Sequence, residues 1–405
     1  MLSVTPYIYN TAEWFRTAAR EMWRALREAL TDQGQLMFLV IVPLFYPLLY
    51  SFIYTGEVVR EVPVAVVDQS HTAASREFLR RLDATADVEI VARVADLAEA
   101  KSLVRSRDAY GVVVVPEAFA SDIARGEQTH VEAYVDMSGM LYYKAILASC
   151  TNVSLTMNAE IKVARAGGMT RRQEEVTVQP IAYEEVSLFN PQGGFASFLI
   201  PAVLILVLQQ TLLLGITMGL GTRRDRLPAG RVSLSAPSVV FTAARLVGRA
   251  SAYFLLYLPV SVYVLGVVPK WFSLPQIGGG GDIAALTVPL LLATIFLAFT
   301  LGVAVRQRET GLLLIVFTSV PLLFLSGISW PGSAVAEGWK ALGYLFPSTF
   351  GINGFVRVNT MGASLPDVSH ECRMLWLQTA VYFVTALAAT YVVGRKNAIS
   401  AKKAL

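Results

Sequence analysis

Six stretches of about twenty apolar residues, nearly free of ionisable side chains, restrict the folds open to this chain more than any other feature of its sequence. They cover residues 36–54, 195–220, 246–268, 283–305, 311–328 and 375–393. A bilayer core is spanned by about 20 helical residues at about 1.5 Å each, and unpaired backbone amides are too costly in hydrocarbon for an open alternative. The predicted fold is therefore an α-helical polytopic membrane protein with six transmembrane helices. Pro43, Pro47, Pro201 and Pro321 fall inside these stretches, where membrane helices accept them as kinks. The first stretch begins too far into the chain for a secretory signal, and no small-residue cleavage site comes after it.

Charge sets the expected orientation. With the amino terminus cytoplasmic, sixteen Lys and Arg fall in the inner segments and four (Lys270, Lys340, Arg357 and Arg373) in the short outer loops. That asymmetry is the positive-inside pattern, and it puts both termini in the cytoplasm and the long segment 55–192 outside. The segment carries 14 basic against 20 acidic residues. The formal charge of +4 thus belongs to the membrane face, where it meets anionic lipid, and nucleic acid is not an expected partner.

Within 55–192, short β-branched runs alternate with helix-like stretches. Residues 62–67, 88–91, 112–115 and 131–135 read as strands, and 73–82, 96–105 and 117–125 as helices. The alternation predicts an inserted extracytoplasmic α/β domain between the first and second spans. A longer helix over 141–166 stops at Gly167-Gly168, and an extended return over 176–189 leads through Asn190-Pro191 into the second span. Asp68, His71 and Asp136 fall at strand ends, where turn residues bonding local backbone account for them. His130 and His370 read as solvent-facing loop residues. Cys150 and Cys372 both fall on the outer side, but in different parts of the chain, and no disulfide between them is expected.

Ahead of the first span, residues 1–35 carry an apolar stripe of Phe15, Ala19, Met22, Leu26 and Leu30 with Trp14 and Trp23 beside it. Arg16, Arg20, Arg24 and Arg27 lie mostly opposite. Such a helix suits the headgroup plane; docking on protein requires the same stripe, and the sequence allows either. After the second span, residues 221–245 form the sizeable inner loop, with Arg223, Arg224, Asp225 and Arg226 at its start and a short helix expected over 237–245. Simple positive-inside anchoring explains this cluster as well as a handle for a cytoplasmic partner does.

Several chemistries lack their parts. No Gly-x-x-x-x-Gly-Lys-Ser/Thr phosphate cradle occurs, since Gly278–Gly281 runs into Asp282 with no lysine. Apart from Arg249 at the inner end of the third, the six stretches hold no charged side chain of the kind ion-coupled carriers place in their spans. Neither a Gly-x-Ser-x-Gly elbow nor a His-Glu-x-x-His helix is present. Two cysteines and three histidines are too few and too scattered for a metal centre. No cofactor is expected in this chain, and any fuel is used by another.

The arrangement resembles the membrane subunit of ABC-2-type exporters. The specific residues are Leu325-Ser326-Gly327-Ile328-Ser329-Trp330-Pro331, then Leu345-Phe346-Pro347-Ser348-Thr349 and Gly354-Phe355-Val356-Arg357, similar to the family's Ser-Gly, Pro, Pro pattern between the last two spans. The resemblance implies that 329–350 forms short helices re-entering the membrane from outside, with Ser326, Gly327, Trp330, Pro331, Phe346 and Pro347 at an outer gate. It also implies a dimer of permease copies, each joined through the loop 221–245 to an ATP-binding cassette ATPase that uses ATP and Mg. The family's Arg-Glu and Gly-Thr signature is replaced here by Arg224-Asp225-Arg226. A membrane-fusion adaptor, export of drugs or other amphiphiles, and residence in a bacterial inner membrane complete the expectation. The competing readings are a membrane-anchored sensor or scaffold with a ligand-binding outer domain, and, third, an ion-driven carrier.

Overall fold

In the computed structural model, residues 11–168, 170–179, 186–225, 238–304 and 308–403 are described. The chain divides into two compact units, Met1–Glu57 with Ser187–Leu405, and Val58–Val186.

The first unit is helical. Among the described residues, five helices are long and apolar enough to cross a membrane: Gln33–Ile53, Phe195–Arg223, Val239–Trp271, Gly280–Gly302 and Ser369–Arg395. A sixth apolar stretch, Gly311–Leu325, lies in helix Arg308–Leu325 and is shorter. In chain order these are the first to sixth apolar helices, with Arg308–Leu325 as the fifth. The second runs on to Asp225 and is buried along most of its length, because it is apolar all round and the others pack around it. The first and third relax into π turns at Met37–Ile41 and Tyr263–Val267. Pro43 and Pro269 come next, at the second position of the following helical segment, where a missing N–H loosens the hydrogen-bond ladder. The expected short helix over 237–245 is not separate: the third apolar helix starts at Val239 and carries Arg245 and Arg249 on its first turns.

Side chains fix the start of the second helix. Asn190 accepts from the Gly194 amide at 3.1 Å and donates to its carbonyl at 2.9 Å. The Glu57 carboxylate takes the Ser197 hydroxyl at 2.7 Å and its amide at 3.2 Å, satisfying first-turn donors that the helix itself leaves open.

The second unit is a four-stranded sheet in the order β2-β1-β3-β4, from β1 Val62–Asp68, β2 Val88–Arg93, β3 Gly111–Val115 and β4 Glu132–Val135. Strands β1, β2 and β3 are parallel and β4 is antiparallel to β3. Both faces are covered. Val62, Val64 and Val66 pack with Phe78, Leu82, Ile146 and Cys150 on one side. Ala65 and Val67 pack with Ala100 on the other. This is why β1 and β3 read as continuous apolar runs rather than alternating ones. Residues 176–178, expected at the start of an extended return, belong instead to a helix, Arg171–Val178; residues 180–185 of that expectation lie outside the described ones. The capping box Thr170/Gln173 starts that helix, a local signal stronger than the β-branched residues at its end.

Asp68 and Asp136 act as turn residues. Asp68 accepts from the Ser70 and His71 amides and the Ser75 hydroxyl. Asp136 accepts from the Ser138 amide and hydroxyl, which hold its carboxyl below the usual range. His130 is exposed; His370 is exposed too but sits in the sixth apolar helix, against Phe350. Cys150 and Cys372 are free thiols, one in each unit.

Candidate functional site

Three groups of side chains in the helical unit are placed for work at the ends and middle of the second apolar helix. The first is a cleft of about 620 Å³ where the amphipathic helix Thr11–Thr31 meets the ends of the second and third apolar helices. Arg249 donates to Glu21 at 3.1 Å, and both are about 17% exposed. Arg223 lies 3.7 Å from the same carboxylate and 3.8 Å from Glu28, which also takes Arg24 at 3.0 Å. Two carboxylates therefore bind three guanidiniums from three helices. Arg223 was expected on an open loop; it stands on the last turns of the second helix and is engaged from within the chain. The side chains of Arg224 and Asp225, and all of Arg226, lie outside the described ones.

The amphipathic helix packs on the helical unit, but not through the apolar stripe that the sequence marks. Its protein side is Ala18, Glu21, Ala25 and Ala29, lying along the third apolar helix. A Cβ on Gly248 would come 2.1 Å from the Ala18 carbonyl oxygen, so the two backbones touch there. Of the apolar stripe, Phe15, Ala19 and Leu30 stay exposed and Met22 and Leu26 are half-buried. Trp23 and Arg16, Arg20, Arg24 and Arg27 are exposed and Trp14 half-buried against Phe15. Glu21 and Glu28 were missed, although their seven-residue spacing on the face of Ala18, Ala25 and Ala29 is visible in the sequence.

The second group is Gln209-Gln210-Thr211, buried midway along the second helix. Gln209 clasps Ser348, donating to its hydroxyl at 3.0 Å and accepting from its amide at 2.6 Å. Thr211 accepts from the Tyr257 hydroxyl at 2.9 Å. Both amide atoms of Gln210 are buried with no hydrogen-bond partner among the described residues. Three consecutive polar residues in the apolar middle of this helix were the available signal, although none is ionisable.

The third group is the segment 326–359. Positive φ at Gly327 (86°) turns the chain after the fifth helix. Beyond it come a 3-10 turn, Gly332–Ala334, and helices Glu337–Gly343 and Pro347–Asn359. Pro347 occupies the first helical position, where its absent N–H costs nothing. Ser326 is buried and its carbonyl accepts from Asn353 at 2.9 Å. Gln378 donates to the Tyr344 carbonyl at 2.8 Å and Tyr382 to that of Leu345, fastening the segment to the sixth helix. Phe346 lines an apolar cavity of about 240 Å³ with Leu213, Ile315 and Tyr382. Trp330, Trp339, Tyr344 and Leu345 are exposed, and so is Pro331. Phe346 and Pro347 are thus drawn in against the spans, whereas Trp330 and Pro331 face outward.

Multiple long apolar helices mark a multi-pass membrane protein. The chain is similar to the linearmycin resistance permease protein LnrN of Bacillus subtilis (strain 168), with 19% identity over 365 residues, 85% of this chain and 92% of that protein. Residues 34–388 match the family model described as ABC-2 family transporter protein. That family comprises non-catalytic transport subunits and implies a partner of the ATPase kind. The chain belongs to the ABC-2 family of transporter membrane proteins, as a permease subunit.

Proposed function

We propose that this chain is the membrane passage of an exporter driven by ATP hydrolysis in a separate cassette subunit, moving drugs or other amphiphilic molecules out of the cytoplasm or inner membrane. The match of residues 34–388 to a permease family, in a chain whose sequence has no phosphate cradle, carries this reading. The relative's name, a resistance permease, favours the outward direction.

In this scheme all six apolar helices cross a bacterial inner membrane, the fifth short one included, with both termini inside and Val58–Val186 outside. Two copies form the passage, and a membrane-fusion adaptor extends it. The partner binds ATP and Mg. Arg224, Asp225 and Arg226 receive the ATPase, while Arg223 positions the end of the second helix by its hold on Glu21 and Glu28. The helix Thr11–Thr31 lies in the headgroup plane, with Trp23 and its arginines towards lipid, and passes movement of the loop to the third helix. Residues 329–350 re-enter the membrane and narrow the exit, with Ser326 and Gly327 at their hinge, Trp330 and Pro331 at the rim and Phe346 and Pro347 inside.

Reconstitution of the chain with its cassette ATPase in lipid nanodiscs tests the reading. ATPase activity should rise on addition of the permease, and Arg224→Glu with Arg226→Glu should abolish the rise while leaving thermal unfolding unchanged. A permease that pumps solute alone, or hydrolyses ATP alone, would falsify it.

A further inference from the structure

The unit Val58–Val186 contains a cavity of about 610 Å³ for which the transport reading has no use. It lies between helix Phe119–Arg125, the loop after it, helix Met140–Ala166 and the end of Arg171–Val178. Its size falls in the range of about 300–1,000 Å³ typical of small-molecule sites.

The lining divides by chemistry. Phe119, Ile123, Val131 and Met157 supply an apolar wall. On the polar side, the charges are mostly spoken for. Arg165 donates to the Ile123 carbonyl, Glu127 is held by Arg125 at 2.9 Å, and neighbouring Glu160 by Arg81 at 2.8 Å. Lys162 has no ion pair among the described residues. The Thr129 hydroxyl is buried and makes no hydrogen bond among them. A buried hydroxyl without a partner is destabilising, and an acceptor oxygen removes that cost. An uncommitted ammonium and an unpaired hydroxyl on one cavity suit a negative group with oxygen acceptors; the apolar wall suits a hydrocarbon body.

We propose that this cavity binds an amphiphile with an anionic headgroup, its head at Lys162 and Thr129 and its apolar part against Phe119 and Met157. The site lies within one compact unit, so it stands or falls separately from ATP-driven export.

The test uses the full chain in phosphatidylcholine nanodiscs and a diazirine-bearing dodecyl phosphate, with cross-links mapped by mass spectrometry. A dodecyl trimethylammonium probe of the same length serves as control. Saturable labelling of the 119–131 and 154–165 peptides by the phosphate probe, at least fivefold above the ammonium probe, is expected. Lys162→Glu should cut it at least fivefold, Lys162→Arg should retain it, and Met157→Trp, which fills the cavity, should remove it. Unchanged thermal unfolding of Val58–Val186 in Lys162→Glu separates loss of the site from loss of fold. Equal labelling by both probes, or labelling that survives Lys162→Glu and Met157→Trp, overturns the proposal. Competition by phosphatidylglycerol in the nanodisc assigns the site to membrane lipid; its absence assigns it to a free amphiphile; both outcomes support an anionic-amphiphile site.

Discussion

Replacing Glu21 by Gln keeps the shape of the side chain and removes the charge that Arg249 and Arg223 share. At an effective dielectric constant of about 20, a pair at 3.1 Å is worth about 5 kcal/mol and one at 3.7 Å about 4.5 kcal/mol before desolvation. Desolvation of partly buried ions returns several kcal/mol of that. Glu28 still holds Arg223 in the variant. The net loss should be about 2–3 kcal/mol, below the roughly 3–5 kcal/mol for breaking a fully buried pair because both side chains keep some exposure. Because Glu21 belongs to the helix Thr11–Thr31 and its partners to the second and third apolar helices, the loss appears as undocking of that helix rather than global unfolding. Hydrogen exchange measured by mass spectrometry in nanodiscs reads it directly. Amides of residues 11–31 should lose protection by about thirtyfold to a hundredfold, at about 1.4 kcal/mol per tenfold. Arg249→Met should do the same, and the double variant should cost far less than the two singles combined. Protection within threefold of the parent in Glu21→Gln, or strict additivity, would refute the inference that these charges hold the helix.

Gln209→Leu leaves the amide and hydroxyl of Ser348 unpaired inside the bundle, and should lower stability in micelles by about 1–2 kcal/mol, with Ser348→Ala costing less; equal unfolding of Gln209→Leu and parent would count against the clasp. In the second unit, hydrogen bonds from Arg80 and Arg81 pull the Glu77 carboxyl down to about 2 from 4.5. A depressed folded-state value stabilises above the unfolded value and fades as pH falls through the folded one, so the advantage of the parent over Glu77→Gln should be full above pH about 4.5 and gone near pH 2, as read by thermal unfolding across that range. Burial pushes the Cys150 thiol up to about 11, so iodoacetamide at pH 8 should alkylate Cys372 and spare Cys150 in the folded chain; rapid modification of both would contradict the packing described.

Most of the candidate site was legible only in part. The apolar runs and the strand pattern of the outer segment depend on local composition, which sequence displays, whereas the Ser326-Gly327 and Phe346-Pro347 motifs stood out only through the resemblance to ABC-2-type exporters. The Gln209–Ser348 clasp joins residues 139 positions apart and the Arg249–Glu21 pair residues 228 apart, and nothing near any of these residues in sequence marks its partner. Periodicity showed that residues 15–30 carry an apolar stripe, and left open whether that stripe meets the headgroup plane or protein.

The sequence by itself determined the properties that length and solvent dictate: spans long and apolar enough for a bilayer, and valine runs that bury on both faces of a sheet. Tertiary structure decided that the amphipathic helix docks through alanines and Glu21, leaving Phe15 and Trp23 exposed, and that Arg223 is held from within. Burial preference is a property of one residue, whereas a close helix contact depends on both surfaces at once: the Gly248 backbone admits Ala18, and two arginines await Glu21.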